Sequence, residues 1–370
     1  MENELRKCLM CKNPQCAKCP AGTDVRRIIE LVRAGKVHEA GALLFDNNPL
    51  SAITGLVCPN HLFCKGGCVK GLDFGVIERE ISKRYLEHVI ARNEAIQIPR
   101  SLGTGSPAKN VLVVGSGPAG LSISYYLRKA GYNVELWEKE HKFGGMLRYG
   151  IPNFRLDKNL IDLIVGRIEK MGVMFNKGIK VDLQNLPSGF DIIVLAIGAG
   201  VSRRLDIEGS ELAVYALDYL KTASAPTPSL TCHPFVPKGN TVVIGAGNVA
   251  IDCALTAASF GSVNLCYRKD EAAMKAYPEE LAHARNKGVV FNYHMVPKKI
   301  TNEGVLFENG RFMPADKVII AIGQGATKDG LIKPTELGNN VYAIGDAVTG
   351  TSTIVQVVAQ AKELARILTK

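Results

Sequence analysis

Seven of the ten cysteines fall within the first 68 residues, spaced as C-x2-C-x4-C-x2-C-P (Cys8, Cys11, Cys16, Cys19, Pro20) and C-P-x4-C-x3-C (Cys58, Cys64, Cys68). Both runs are rich in Pro, Asn and Gly and read as loops, which can turn several thiolates toward one centre as iron–sulfur clusters require. Thiolates held together repel one another unless a cation neutralises them, so a metal centre is the favoured reading. Structural zinc also suits C-x2-C pairs and stays open on spacing alone. Two cubane clusters take four ligands each, and seven cysteines are present. One ligand is then not a cysteine, or one cluster is incomplete. Cys232, Cys253 and Cys266 stand alone in apolar stretches and read as small core residues.

A second kind of chemistry follows Asn110. The run VLVV leads into GSGPAG, with Gly115, Gly117, Pro118, Ala119 and Gly120, then a helix to Gly131 and a strand VELWE that ends at Glu138 before Lys139. The glycines allow a tight turn, and the helix N-terminus offers free N–H groups to a pyrophosphate. Glu138 can accept hydrogen bonds from ribose hydroxyls. The unit repeats as TVVI and GAGNVA, with Gly245, Gly247, Asn248 and Val249, a helix to Phe260 and the strand VNLCY. Twenty-three residues after Gly115 stands Glu138, and 23 after Gly245 stands Arg268, followed by Lys269. A carboxylate repels a 2'-phosphate and a guanidinium binds it. The second site therefore reads as one for NADPH.

These residues need scaffolding. Helices are expected over Asp24–Ala34 after a Thr23 cap, Val37–Asp46 and Glu78–Ile96, and PRSLGTGSPA (Pro99–Ala108) reads as a connector. Strands ending in glycine turns are expected at Ile192–Gly198, Val318–Gly323 and Val341–Ala347, with a long helix over Ser352–Leu368. That helix N-terminus would face the first site, with Asp346, next to Gly345, placed to meet a ribityl or ribose hydroxyl. The fold class is α/β: two Rossmann-like dinucleotide-binding domains, one inserted in the other, preceded by an all-helical iron–sulfur domain. The expected boundaries are residues 1–105 for the helical domain, 106–204 and 324–370 for an FAD-binding domain, and 205–323 for an NADPH-binding domain.

Composition excludes other classes. With 370 residues, 46% hydrophobic and 22% charged, the chain is neither disordered nor a small module. The net charge of +10 is spread rather than striped: the first hundred residues hold 15 Lys or Arg against 11 Asp or Glu. Neither nucleic acid nor a membrane surface is expected as a partner. MENELRKC carries no apolar run, and a cytoplasmic location is expected.

Together the stretches CLMCKNPQC, DNNPLSAITGLVCPNHLFCKGGC, GSGPAGLS, FGGMLRYGIPNFRLDK, GAGNVAIDCA, YRKDEAAMKAYPEE and YAIGDAVTG resemble the NADPH-oxidising half of dihydropyrimidine dehydrogenase, its bacterial small-subunit relatives and the small chain of NADPH-dependent glutamate synthase. The resemblance implies FAD at the first site, NADPH at the second and two [4Fe-4S] clusters. By position it implies Cys8, Cys11, Cys16 and Cys68 around one cluster, and Cys19, Cys58 and Cys64 with Glu78 around the other. It also implies Arg268, Lys269 and Lys275 on the 2'-phosphate. Gly144, Gly145, Met146, Leu147 and Arg148, with Ile151 and Pro152, would lie against the flavin ring. Cys16 and Cys19 are one residue closer than the family pattern, and the stretch from Cys68 to Glu78 is about four residues shorter.

The implied activity is an electron-transfer flavoenzyme that passes electrons from NADPH through FAD and the clusters to a larger catalytic subunit or a ferredoxin-like acceptor. Nothing in the chain resembles a barrel for uracil reduction or a glutaminase, so the terminal reaction is expected on the partner. Two rivals stand beside it. A stand-alone disulfide reductase needs a CxxC beside the flavin, and none occurs after residue 19. A zinc or redox sensor would bind nucleotide without turnover.

Overall fold

A computed structural model describes residues 1–92, 108–199, 201–224, 239–325, 331–333 and 337–369. The connector before Ala108, Cys232 and the end of the helix expected to reach Ile96 lie outside the described residues. Contacts divide the chain into two units, Met1–Leu147 with Phe154–Ala199 and Asp329–Lys370, and Arg148–Asn153 with Gly200–Lys328.

The first unit opens with helices Glu2–Lys7, Val25–Arg33, Val37–Asn47, Ser51–Val57 and Phe74–Ala91. Their apolar faces meet in a core that includes Ile28, Ile29, Leu44, Ile53, Ile77 and Ile81, each at most 1% exposed. Such burial contributes ~1.5–3 kcal/mol per side chain, so these helices hold the cysteine loops on a rigid frame. Two details differ from the expectation. Asp24 rather than Thr23 caps the second helix, its side chain accepting from the Arg27 N–H at 2.9 Å. The last helix begins at Phe74 rather than Glu78, because Phe74 and Ile77 extend the buried stripe one turn toward the N-terminus.

The rest of the first unit is a five-stranded parallel sheet in the order Val341–Ala343, Ile192–Leu195, Asn110–Val114, Asn133–Glu138, Met174–Lys177. Helix Ile354–Leu368 packs along helix Pro118–Lys129 and is started by a capping box between Thr353 and Gln356.

The second unit has its own parallel sheet in the order Val214–Tyr215, Lys317–Ile320, Thr241–Ile244, Val263–Cys266, Val290–Asn292. A three-stranded antiparallel sheet, Pro297–Thr301, Gly304–Phe307 and Phe312–Pro314, packs against it through Ile300, Val305 and Phe307. In sequence this unit interrupts the first. Among the described residues no helix is long and apolar enough to cross a membrane.

Candidate functional site

The seven N-terminal cysteines sort between two cavities. The first is walled by Cys8, Cys11, Cys16 and Cys68 together with Lys7, Leu9, Arg26, Val69 and Lys70. The second is walled by Cys19, Cys58, Cys64 and Glu78 together with Thr23, Thr54, Phe74 and Val355. Glycine lets the loops close on one another. A Cβ on Gly67 would stand 2.2 Å from the Gln15 carbonyl oxygen, and one on Gly66 would stand 1.9 Å from that of His61. Arginines on one helix hold the first cysteine loop: Arg33 Nη2 donates to the carbonyls of Leu5 (2.6 Å) and Cys8 (2.8 Å), and Arg26 Nη1 to that of Cys11 (3.0 Å).

Burial dominates the electrostatics of these walls. It pushes the Cys58 thiol far up, with Glu78, Cys64 and Cys19 adding like-charge repulsion. It raises Cys64 to about 12, again with Glu78 and Cys19 adding to the shift. Burial also raises Cys16, with Cys68, Cys8 and Cys11 adding to the shift. The Glu78 carboxyl is pushed up to about 8 by burial, against the hydrogen bond from Thr54 Oγ1 to its Oε1 at 2.8 Å. Asn48 Nδ2 in turn donates to Thr54 Oγ1 at 2.8 Å. A cation in these cavities would favour the thiolate and carboxylate forms that burial opposes, which is the condition a metal cluster supplies. Among the described residues no three His, Cys, Asp or Glu side chains converge as for a single metal ion. Seven thiols and one carboxylate in two sets make the sulfur-rich donor set that iron–sulfur clusters take.

At the first glycine turn, Gly115 has φ +101°, and a Cβ there would stand 2.6 Å from the Ala196 oxygen. Gly117 is the N-cap of helix Pro118–Lys129, and a Cβ there would meet no protein atom within 4 Å. That open space lies beside the helix N-terminus, as close approach of a pyrophosphate requires. Ala119 and Glu138 are buried. Glu138 Oε2 accepts from the Ser116 N–H (2.8 Å) and hydroxyl (2.6 Å), and Oε1 from the Glu140 N–H (2.9 Å). Lys139 is exposed. The Gly144 N–H donates to Ser116 Oγ at 3.0 Å, and a Cβ on Gly145 would lie 2.8 Å from Gly117 Cα. The segment from Gly144 is thus laid against the turn, with Met146 exposed and Leu147 buried. Gly345 is also brought there: its Cβ position is 3.0 Å from that of Ala119, and its N–H donates to Gln360 Oε1 at 2.9 Å. Asp346 Oδ1 accepts from the Ser352 N–H and hydroxyl at 3.0 and 2.8 Å, and burial raises its carboxyl against those bonds. Arg148 and Pro152 are buried and Ile151 half-buried, and all three group with the second unit.

The second unit repeats this geometry. Gly245 has φ +150°, and a Cβ there would stand 2.2 Å from the Ala321 oxygen. Gly247 is the N-cap of helix Asn248–Ala257, with nothing within 4 Å of its Cβ position. Val249 is half-buried. Arg268 and Lys269 stand exposed just past strand Val263–Cys266. The N–H groups of Lys275 and Ala276 both donate to the Ala246 carbonyl at 3.0 Å, and Asn248 Oδ1 accepts from the Tyr277 N–H at 3.0 Å. The loop bearing Lys275 is therefore tied to the glycine turn. Cys253 and Cys266 are fully buried, and burial raises both thiols, Cys266 to about 12. Neither is placed or ionised to act as a disulfide nucleophile.

Four residues went unnoticed in the sequence: Ser116, Gln360, Arg26 and Arg33. Ser116 was legible in principle, as the hydroxyl inside a GxG turn that faces an acid closing the next strand. The backbone contacts of the other three carry no sequence signal, because they reach carbonyl and N–H groups at positions that only folding sets.

Residues 109–362 match the family model described as pyridine nucleotide-disulphide oxidoreductase. Residues 1–95 match one described as dihydropyrimidine dehydrogenase domain II, 4Fe-4S cluster. Among curated proteins the chain is similar to the NAD-dependent dihydropyrimidine dehydrogenase subunit PreT of Escherichia coli O157:H7, 30% identical over 395 residues that cover 99% of this chain and 92% of that one. It is also similar to the glutamate synthase (NADPH) small chain of Escherichia coli K12, 27% identical over 425 residues that cover 97% and 89%. Among solved structures, 2-naphthoyl-CoA reductase in complex with 2-naphthoyl-CoA shares the fold at TM-score 0.63 and 18% identity, over 95% of this chain and 49% of that one. FprA of Mycobacterium tuberculosis in complex with NADPH does so at TM-score 0.54 and 19% identity, over 70% and 84%.

Proposed function

We propose, from the premise that the chain belongs to the pyridine nucleotide-disulphide oxidoreductase family and opens with a 4Fe-4S region of the dihydropyrimidine dehydrogenase type, that it takes electron pairs from NADPH and delivers them singly to a larger catalytic subunit. The first glycine turn would hold FAD, which would supply hydride acceptance and one-electron release, and the cysteine loops would hold two [4Fe-4S] clusters, which would supply one-electron carriers. In this reading residues 1–105 hold the clusters, 106–204 and 324–370 hold FAD, and 205–323 hold NADPH.

The division of the cysteines between two cavities carries the proposal. Cys8, Cys11, Cys16 and Cys68 would ligate one cluster, and Cys19, Cys58, Cys64 and Glu78 the other. Val355 supports an order for the two. It walls the second cavity, and it stands at the start of the helix that follows the Gly345–Asp346 turn, itself packed on Ala119. In this reading the second cavity would lie on the flavin side and the first farther out. Around a bound flavin this chain would supply orientation: the helix N-terminus after Gly117 would meet the pyrophosphate, Glu138 the ribose and Asp346 the ribityl chain.

The deciding experiment is a visible spectrum of anaerobically purified protein. Flavin bands over broad cluster absorption, both bleached by NADPH, are expected. A colourless protein containing zinc would overturn the proposal.

NADPH preference rests on Arg268, Lys269 and Lys275, since one similar protein is named NAD-dependent and another carries NADPH in its name. Arg268→Ala is expected to raise KM for NADPH about 10–100-fold while leaving that for NADH within about twofold, as loss of a charge-assisted phosphate contact predicts. An equal rise for both nucleotides would remove the phosphate role.

A further inference from the structure

We propose that the surface at the mouth of the first cysteine cavity is a docking site for an acidic protein that carries a one-electron redox centre. Val69 is 75% exposed and Leu9 57%, and both wall the cavity beside Cys8, Cys11, Cys16 and Cys68. Large aliphatic side chains left in water beside a functional cavity mark a contact surface. Lys7, Arg26 and Lys70 stand in the same wall; Lys7 is paired with Glu4 at 2.6 Å and Arg26 with Glu30 at 3.3 Å, so the exposed Lys70 carries the excess positive charge of the wall. Lys12 and Lys18, on the loop between Cys11 and Cys19, are exposed as well.

The second cavity is a contrast. Thr54, Cys64, Phe74, Glu78 and Val355 in its wall are all buried, and the wall contains no cation. Of the two cysteine cavities, only the first joins exposed aliphatic groups to a cationic rim. Redox encounters use small interfaces, in which rim charges set the association rate and a small apolar centre fixes orientation. The cationic rim selects an acidic partner. The site extends the proposed function, of which it would be the electron exit.

The test uses holoprotein reduced with dithionite, so that its outcome does not depend on NADPH. Transfer to an acidic plant-type ferredoxin is followed by stopped flow over a range of salt, with a small uncharged quinone as an acceptor that needs no docking. For Lys70→Glu, and for the double variant Leu9→Ser with Val69→Ser, the rate to ferredoxin is expected to fall at least about tenfold. Lys70→Glu should also flatten the salt dependence, with every rate taken per intact cluster, as iron content and spectra give it, and referred to that of the uncharged acceptor. Parental rates to ferredoxin in both variants would overturn the docking site. So would parental rates combined with lost binding to phosphatidylserine vesicles, which would assign the surface to a membrane instead. Failure of NADPH to bleach the clusters, with dithionite-driven transfer intact, would overturn the proposed function and leave the docking site standing.

Discussion

Gly117→Ala protein is expected to purify folded and nearly free of flavin, its FAD content at least about tenfold below that of the parent. A methyl group at this position touches no protein atom within 4 Å, so folding stability should hardly change. The same methyl occupies the space beside the helix N-terminus that a pyrophosphate needs, and a tenfold loss in affinity corresponds to ~1.4 kcal/mol. Gly120→Ala provides the comparison. Its Cβ would stand 1.8 Å from the Gly115 oxygen and 2.9 Å from the carbon of that carbonyl, both backbone atoms of the turn. Overpacking of this kind costs ~1–3 kcal/mol or more, so this variant should lose both flavin and thermal stability. Flavin absorbance per chain and the unfolding midpoint separate the two. Parental flavin content in Gly117→Ala would exclude the turn as the pyrophosphate site.

Cys58→Ala is expected to lower iron from about eight atoms per chain, the content of two [4Fe-4S] clusters, to about four. The two cavities share only Val25 in their walls, so loss of one cluster should spare the other. NADPH should still bleach the flavin of this variant, while delivery of single electrons to a ferredoxin should fall by at least about a hundredfold. Glu78→Ala asks the same of the oxygen ligand: iron near four assigns the carboxylate to the cluster, and iron near eight removes it. Iron near eight in Cys58→Ala would refute the division of the cysteines.

Much of this was readable before any coordinates. Glycine turns with a following helix announce themselves, because only glycine tolerates φ near +101° at Gly115 or fits beneath the Ala321 oxygen at Gly245. The opposed charges of Glu138 and Arg268 were readable from register alone. Element ends were less so. The helix expected from Glu78 begins at Phe74, since burial rather than a polar cap fixes its start. Helix Ser51–Val57 went unseen, because a seven-residue helix shows too few turns to reveal a period. What no spacing could reveal is the backbone grip of Arg26 and Arg33, or that Val355 would wall a cavity built from residues some three hundred positions earlier.

That last placement bears on how the protein matures. Val355 encloses the second cavity, Lys362 donates to Asn47 Oδ1 and to the Ala21 carbonyl, and the Tyr132 hydroxyl donates to the Leu368 carbonyl. A nascent chain exposes its cysteines to the ribosome surface long before this closing wall emerges. Iron and sulfide delivered before that helix docks would meet an open pocket, so shortening helix Ile354–Leu368 should impair cluster retention in cysteine loops some three hundred residues earlier.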